Sequence, residues 1–254
     1  MALLDVKDIV VRFGGVVALD GASFTIEEGQ ICGLIGPNGA GKTTLFNVIS
    51  RLYTSNSGSV TFGEHDVLSV PPHKIAAIGI ARTFQNLGLF PANTVIENVM
   101  IGAHHRTKTE VWNAMFRLPK GRREERETRE MAGQILSDLG LASVANHPAA
   151  GLPYGTLKRI ELARAVAAQP KLLMLDEPAS GLTHGEVDEL GETIRKIRDN
   201  YGLTVLLVEH HMAMVMGISD KVVALDFGRI IASGTPSEVQ NNPAVIEAYL
   251  GVSS

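Results

Sequence analysis

Gly36, Gly41, Lys42 and Thr43 stand at the spacing G-x-x-x-x-G-K-[ST] within the stretch GLIGPNGAGKTTLFNVIS. That spacing lets a backbone loop hold phosphate. Glycines allow consecutive N–H groups to turn into one cavity without a Cβ in the way, and a helix beginning near Gly41 adds the positive end of its dipole. Gly36, Pro37, Asn38, Gly39, Ala40 and Gly41 would form the cradle. The Lys42 ammonium would reach the β- and γ-phosphates of a nucleotide, the Thr43 hydroxyl would ligate Mg²⁺, and Thr44 would touch the α-phosphate. The context fits, with an apolar strand, QICGLIG, before the loop and a helix, GKTTLFNVISRL, after it.

A second chemical element is KLLMLDEP, an apolar run ending in Asp176 and Glu177. A buried strand of this kind places two carboxylates at the carboxyl edge of a sheet, where ligands of open α/β sheets bind. Asp176 would hold Mg²⁺ through its water shell, and Glu177 would polarise an attacking water. Read alone, the same residues make a solvated acidic turn; beside a phosphate loop they make a catalytic edge.

The elements that position these groups follow from periodicity. The first 30 residues alternate apolar and polar residues between Gly-Gly and Glu-Gly breaks, as antiparallel strands do. SGSVTFGEHDV reads as a short hairpin and IGIARTFQ as a further strand. From Phe90 to about Ala168 helical signals take over, starting at Thr94-Val95-Ile96-Glu97, which has the spacing of a capping box. Then come KLLMLDEP, a helix from about Gly185 to Asn200, LTVLLVEH, and DKVVALDFGRIIASG with strand periodicity. Buried strands alternating with helices predict a largely parallel sheet covered on both faces. In GRREERETRE the spacings Glu125 to Arg129 and Arg126 to Glu130 predict ion pairs one helical turn apart on a solvated face.

Composition sets the outer limits. With 254 residues and a net charge of −4, the chain can bury a sizeable core and lacks the broad basic face that non-specific nucleic-acid binding needs. A single cysteine, Cys32, excludes an internal disulfide and reads as a core residue. No apolar run approaches the roughly 20 residues that span a bilayer, and MALLDVKDIVVRF lacks the basic start and apolar core of a secretory signal. These features predict a cytosolic chain that works at a membrane only through another subunit.

The phosphate loop, LPYGTLKRIELARAVAAQPKLLMLDEP, SGLTHGE and LLVEHHM follow one another as in an ABC transporter ATP-binding subunit, and the chain resembles that family over essentially its whole length. It is most similar to the subunits of branched-chain amino acid importers, in its closing GRIIASGTPSEVQNNPAVIEAYLG and in the long insert around residues 104–130. The resemblance implies an α/β fold: a P-loop NTPase core with a largely parallel sheet, an N-terminal antiparallel β subdomain and a helical subdomain insert. It implies one domain over 1–254, with 1–89 and 164–254 as nucleotide-binding core and 90–163 as helical subdomain. Phe13 takes the place of the aromatic that stacks on adenine. Gln85 matches the glutamine that senses nucleotide and Mg²⁺, and His210, preferred over His211, matches the switch histidine at the γ-phosphate.

Two departures from the family pattern stand out. Leu152-Pro153-Tyr154-Gly155-Thr156 replaces L-S-G-G-Q, so Pro153 brings neither a hydroxyl nor an N–H to a phosphate. Tyr154 is itself a feature of the importer subfamily, and Gly155 with the N-terminus of the following helix is left to act in trans, with Thr156 a neutral polar contact. Ser180-Gly181-Leu182-Thr183 replaces S-A-L-D, which removes an aspartate from the dimer contact; His184 reads as a solvated loop residue.

The resemblance implies an ATPase that uses ATP and Mg²⁺ and pairs head to tail with an identical chain or a paralogue. Its further partners would be permease subunits and, indirectly, a substrate-binding protein, at the cytoplasmic face of the membrane and without nucleic acid. The alternative is a nucleotide-binding regulator or non-transport ATPase of the same family with weak or no hydrolysis. Retained Lys42, Glu177 and His210 oppose it.

Overall fold

The computed structural model describes residues 2–83, 87–104 and 119–250. The alternation at the start of the chain becomes two long antiparallel strands, β1 (Ala2–Phe13) and β2 (Val16–Glu27). After β3 (Ile31–Ile35) and α1 (Lys42–Ile49), the hairpin of β4 (Ser57–Phe62) and β5 (His65–Asp66) completes an antiparallel sheet ordered β2-β1-β4-β5. Strands β6 (Ile80–Arg82), β7 (Leu172–Asp176), β8 (Thr204–Val208), β9 (Lys221–Asp226) and β10 (Arg229–Gly234) join β3 in a second sheet, ordered β10-β9-β3-β8-β7-β6. Its pairings are parallel except for the β9–β10 hairpin, as the buried apolar runs predict.

Between β6 and β7 lie α2 (Val95–Gly102), α3 (Pro119–Asp138) and α4 (Tyr154–Ala167). After β7 come α5 (His184–Tyr201), α6 (Met212–Ile218), α7 (Pro236–Gln240) and α8 (Pro243–Leu250). The Thr94 capping box forms: the Thr94 N–H donates to Glu97 Oε2 at 2.8 Å, and the Glu97 N–H donates to the Thr94 hydroxyl at 3.4 Å. On α5 the buried positions Val187, Leu190, Gly191, Ile194 and Ile197 repeat at helical spacing, and Gly202 ends the helix in a left-handed conformation. His184 is the first residue of that helix and is exposed, rather than lying in a loop. On α3, Arg126 and Glu130 approach to 3.8 Å and Arg123 meets Glu127 at 2.7 Å, while Glu125 and Arg129 form no bridge. Such exposed pairs contribute little to stability.

The central strands separate two cores. Leu172 and Met174 of β7, Leu206 and Val208 of β8, and Cys32 and Leu34 of β3 face α1 and the antiparallel sheet. Their alternates Leu173, Leu175, Val205, Leu207, Ile31 and Ile35 face the helices. Each fully buried aliphatic side chain contributes about 1.5–3 kcal/mol relative to exposure, so a five-residue strand without an exposed position is held firmly. Burial pushes the Cys32 thiol up to about 12, as fits an unreactive core residue.

Close backbone approach locks the helical layer. A Cβ on Gly102 of α2 would sit 1.9 Å from the carbonyl oxygen of Arg164 on α4, whereas one on Gly133 of α3 would meet nothing within 4 Å. Gly102→Ala is therefore expected to lower the unfolding free energy measured in urea by about 1–3 kcal/mol for overpacking. Gly133→Ala is expected to raise it by up to about 1 kcal/mol through helix propensity. Equal shifts of the same sign would contradict this packing.

Candidate functional site

The loop after β3 owes its shape to two glycines. Gly36 has φ +151° and a Cβ there would lie 2.1 Å from the Leu225 carbonyl oxygen on β9. Gly41, φ +106°, caps α1, and a Cβ there would lie 2.5 Å from the Ala18 carbonyl oxygen. No other residue meets both the conformation and the contact. The first intrahelical bond runs from the Leu45 N–H to the Gly41 carbonyl at 2.9 Å. The N–H groups of Lys42, Thr43 and Thr44 therefore form the open, positive end of α1. Asn38, Gly39 and Thr43 are exposed, so the cradle opens to solvent.

Lys42 is buried and folds back over its own loop, donating from Nζ to the carbonyls of Gly36 at 2.6 Å and Pro37 at 2.9 Å. Burial pulls its ammonium pKa down, and the Glu177 carboxylate acts in the other direction. Loop lysine and strand-end carboxylate thus feel each other's charge. The C-terminal helix reaches the same loop: burial pushes the Tyr249 hydroxyl up, and the Gly36 backbone opposes that shift by hydrogen bonding.

The two carboxylates diverge at the end of β7. Asp176 stays in the sheet opposite Val208 of β8 and is buried. Glu177 leaves it with φ +48°, its N–H donating to the Val208 carbonyl at 2.9 Å. A positive φ in a residue other than glycine costs about 1–3 kcal/mol and persists only where surroundings enforce it. Here the turn brings Glu177 Oε1 to 2.7 Å from His210 Nε2, at the end of the neighbouring strand. His211 does not share that contact; it caps α6.

Sequence reasoning missed three further residues, two of them at this edge. Arg82, at the end of β6, donates to Asp176 Oδ2 at 2.6 Å, Asn47 Oδ1 at 2.7 Å and Ser50 Oγ at 2.8 Å, and lies over the Phe46 ring. Its signal was an arginine in an otherwise apolar strand. Glu209 is a buried carboxylate at the end of β8, signalled by a charge closing the run LLVE. Tyr53 meets Phe13 edge to face, 5.3 Å between ring centres, and nothing in its local sequence announced it. Phe13 is half exposed.

Pro153, Tyr154, Gly155 and Thr156 open α4, with Pro153 as a cap that makes no side-chain hydrogen bond. Pro153 and Tyr154 are exposed. The nearest neighbours of a Cβ on Gly155 would be Glu186 and Leu182, and Tyr154 packs on Gly181. The segment carrying Thr183 therefore lies against the start of α4. Gln85 lies outside the described residues.

A phosphate chain, with its dense negative charge, matches the donors gathered at this sheet edge, and the chain is a P-loop nucleotide-binding protein. The ABC transporter family model matches residues 19–180, and that of the branched-chain amino acid ATP-binding cassette transporters matches residues 229–253. The chain is 43% identical to the high-affinity branched-chain amino acid transport ATP-binding protein BraF of Pseudomonas aeruginosa and 41% identical to LivG of Escherichia coli, covering 98% of each chain in both cases. The crystal structure of an ATP-binding cassette of an ABC transporter in its ADP conformation superimposes with a TM-score of 0.85 at 33% identity, over 99% of both chains. The chain belongs to the ABC transporter ATP-binding family.

Arg82 and Asp176 form a buried pair, with side chains 10% and 5% exposed. Removing one partner of such a pair strands a charge, at a cost of about 3–5 kcal/mol. Arg82→Met is expected to lower stability by that order, and adding Asp176→Asn to recover part of it. Urea unfolding of the two variants checks this; an additive double variant would mean that the pair carries no coupling.

Proposed function

We propose that this chain binds ATP with Mg²⁺ and hydrolyses it as the ATP-binding subunit of a membrane importer for branched-chain or related amino acids. The observation that carries the hydrolytic part is the 2.7 Å contact between Glu177 and His210, in electrostatic reach of Lys42. Phe13 would stack on the adenine. The loop from Gly36 to Gly41 and the first N–H groups of α1 would hold the phosphates, with Lys42 exchanging the Gly36 and Pro37 carbonyls for phosphate oxygens. Glu177 would draw a proton from the attacking water while His210 fixes the carboxylate and meets the γ-phosphate.

Thr43, Gln85 and Asp176 are oxygen donors of the kind Mg²⁺ takes, Asp176 through water because Arg82 already holds its Oδ2. Bound there, the ion would neutralise charge building on the phosphate oxygens.

A second subunit, an identical chain or a paralogue, would complete each site with Gly155 and the exposed start of α4. Exposure of Pro153 and Tyr154 supports that role. A groove of about 530 Å³, lined by Leu52, Ile75, Ile80, Phe90 and Ile101, includes Arg82 and Gly88, which flank the Gln85 segment in sequence. A permease subunit docked there would be moved by nucleotide-driven closure of two cassettes. Among the described residues no helix is long and apolar enough to cross a membrane, so we place the chain peripherally at the cytoplasmic face, with the span supplied by the permease. We read residues 1–254 as one cassette with 90–163 as its helical subdomain. The names of the relatives support the amino-acid cargo, which a separate binding protein would select.

Glu177→Gln is expected to keep ATP affinity within about threefold and to lose a hundredfold or more in turnover, the usual scale for a lost general base. Lys42→Ala is expected to weaken ATP binding itself at least tenfold. Nucleotide titration with phosphate-release kinetics reads both; a Glu177→Gln chain with wild-type turnover would remove Glu177 from the role. Sedimentation of Glu177→Gln is expected to shift from monomer to dimer only with MgATP, and persistent monomer with ATP bound would point to a paralogous partner.

A further inference from the structure

The carboxylate of Glu209 is 1% exposed and makes three contacts with backbone N–H groups. Its Oε1 accepts from Ala179 at 2.6 Å, and its Oε2 accepts from His210 at 2.9 Å and from His211 at 3.4 Å. A carboxylate can accept with both oxygens at once. Ala179 lies two residues beyond Glu177, in the turn where the Ser180 N–H donates to the Glu177 carbonyl at 3.1 Å. Glu209 therefore ties the turn that carries Glu177 to the loop that carries His210. The side-chain contact of those two residues closes a ring: Glu177, Ala179, Glu209, His210 and back to Glu177.

We infer that Glu209 is a positioning residue, one that sets the distance between Glu177 and His210 without touching ATP. This rests on the hydrolytic reading above. His210 is exposed and, among the described residues, its ring hydrogen-bonds to Glu177 alone, so its place depends on where its backbone is held. Charge-assisted bonds to N–H groups are the stronger class available for that purpose. Tying both loops to one carboxylate also makes them move together: a shift of the 179–183 segment, where a second copy would pack, carries through Glu209 to His210.

Glu209→Gln keeps the shape and reach of the side chain but has one carbonyl oxygen, so its NH₂ group must face an N–H donor on one of the two loops. Glu209→Asp keeps the charge but is shorter by one methylene and cannot span both loops. The test is steady-state ATP hydrolysis by the full chain for wild type, Glu209→Gln, Glu209→Asp and Glu177→Gln, with Tm measured for each. Both Glu209 variants are expected to lose tenfold or more in kcat with KM for ATP within about twofold. In a Glu177→Gln background, Glu209→Gln is expected to remove little further activity, because the two act on one step.

If Glu177→Gln abolishes turnover while both Glu209 variants keep wild-type kcat, the inference is overturned and the hydrolytic reading stands. Wild-type turnover in Glu177→Gln would overturn the reading itself. A Glu209→Gln chain that fails to fold leaves Glu209→Asp as the deciding variant. Parallel loss of kcat and rise of KM in both would reduce Glu209 to general structural support, against the inference.

Discussion

Parallel pairing of β7 with β8, in the register that sets Asp176 opposite Val208, is the constraint on which the candidate site depends. Both strands are buried on both faces, so neither can slip by one residue without turning its whole apolar set into the wrong core. The register decides that the two chain segments leave the sheet side by side. From there the positive φ of Glu177 and its bond to the Val208 carbonyl turn it toward His210. Packing tens of ångströms of apolar strand is thus converted into a 2.7 Å polar contact at one edge.

The same edge gathers charges that a dry sheet would reject, and each is matched differently. Asp176 is answered by the Arg82 guanidinium, which is itself anchored to α1 through Asn47 and Ser50. Glu209 is answered by backbone N–H groups, and Lys42 by backbone carbonyls. Burial costs are offset in place for the first two. Lys42 differs: its partners are carbonyl oxygens that a phosphate can replace, and burial pulls its pKa down. A cation held by exchangeable acceptors is suited to meet an incoming anion.

What was legible in the sequence is what chemistry writes locally. The glycines and lysine of the phosphate loop, the Thr94 capping box, and the strand end at Asp176 and Glu177 each lie within a few residues of one another. The parallel sheet followed from apolar runs without alternation. Arg82, Glu209 and Tyr53 were not legible because their partners are remote: Arg82 meets Asp176 ninety-four positions away, and Glu209 meets Ala179 thirty positions away. A charge inside an apolar run signals that some partner exists, but only topology says which. The expected Glu125–Arg129 pair failed for a related reason, since exposed long side chains on a helix have several acceptors of nearly equal energy.

Thr183 gives the departure from S-A-L-D a physical reason. Its N–H and hydroxyl donate to Glu186 Oε2 at 2.9 and 2.8 Å, and these bonds hold the Glu186 carboxyl below the usual range. The other oxygen, Oε1, stands 2.6 Å from where a Cβ on Gly155 would project. An aspartate at 183 could only accept, so it would lose the hydroxyl bond and set a second negative charge beside Glu186. It would do so close to the start of α4, whose positive end a partner's phosphates would need. Threonine there keeps Glu186 turned toward its own helix cap, and Gly155 remains the one residue small enough for α4 to begin against that carboxylate.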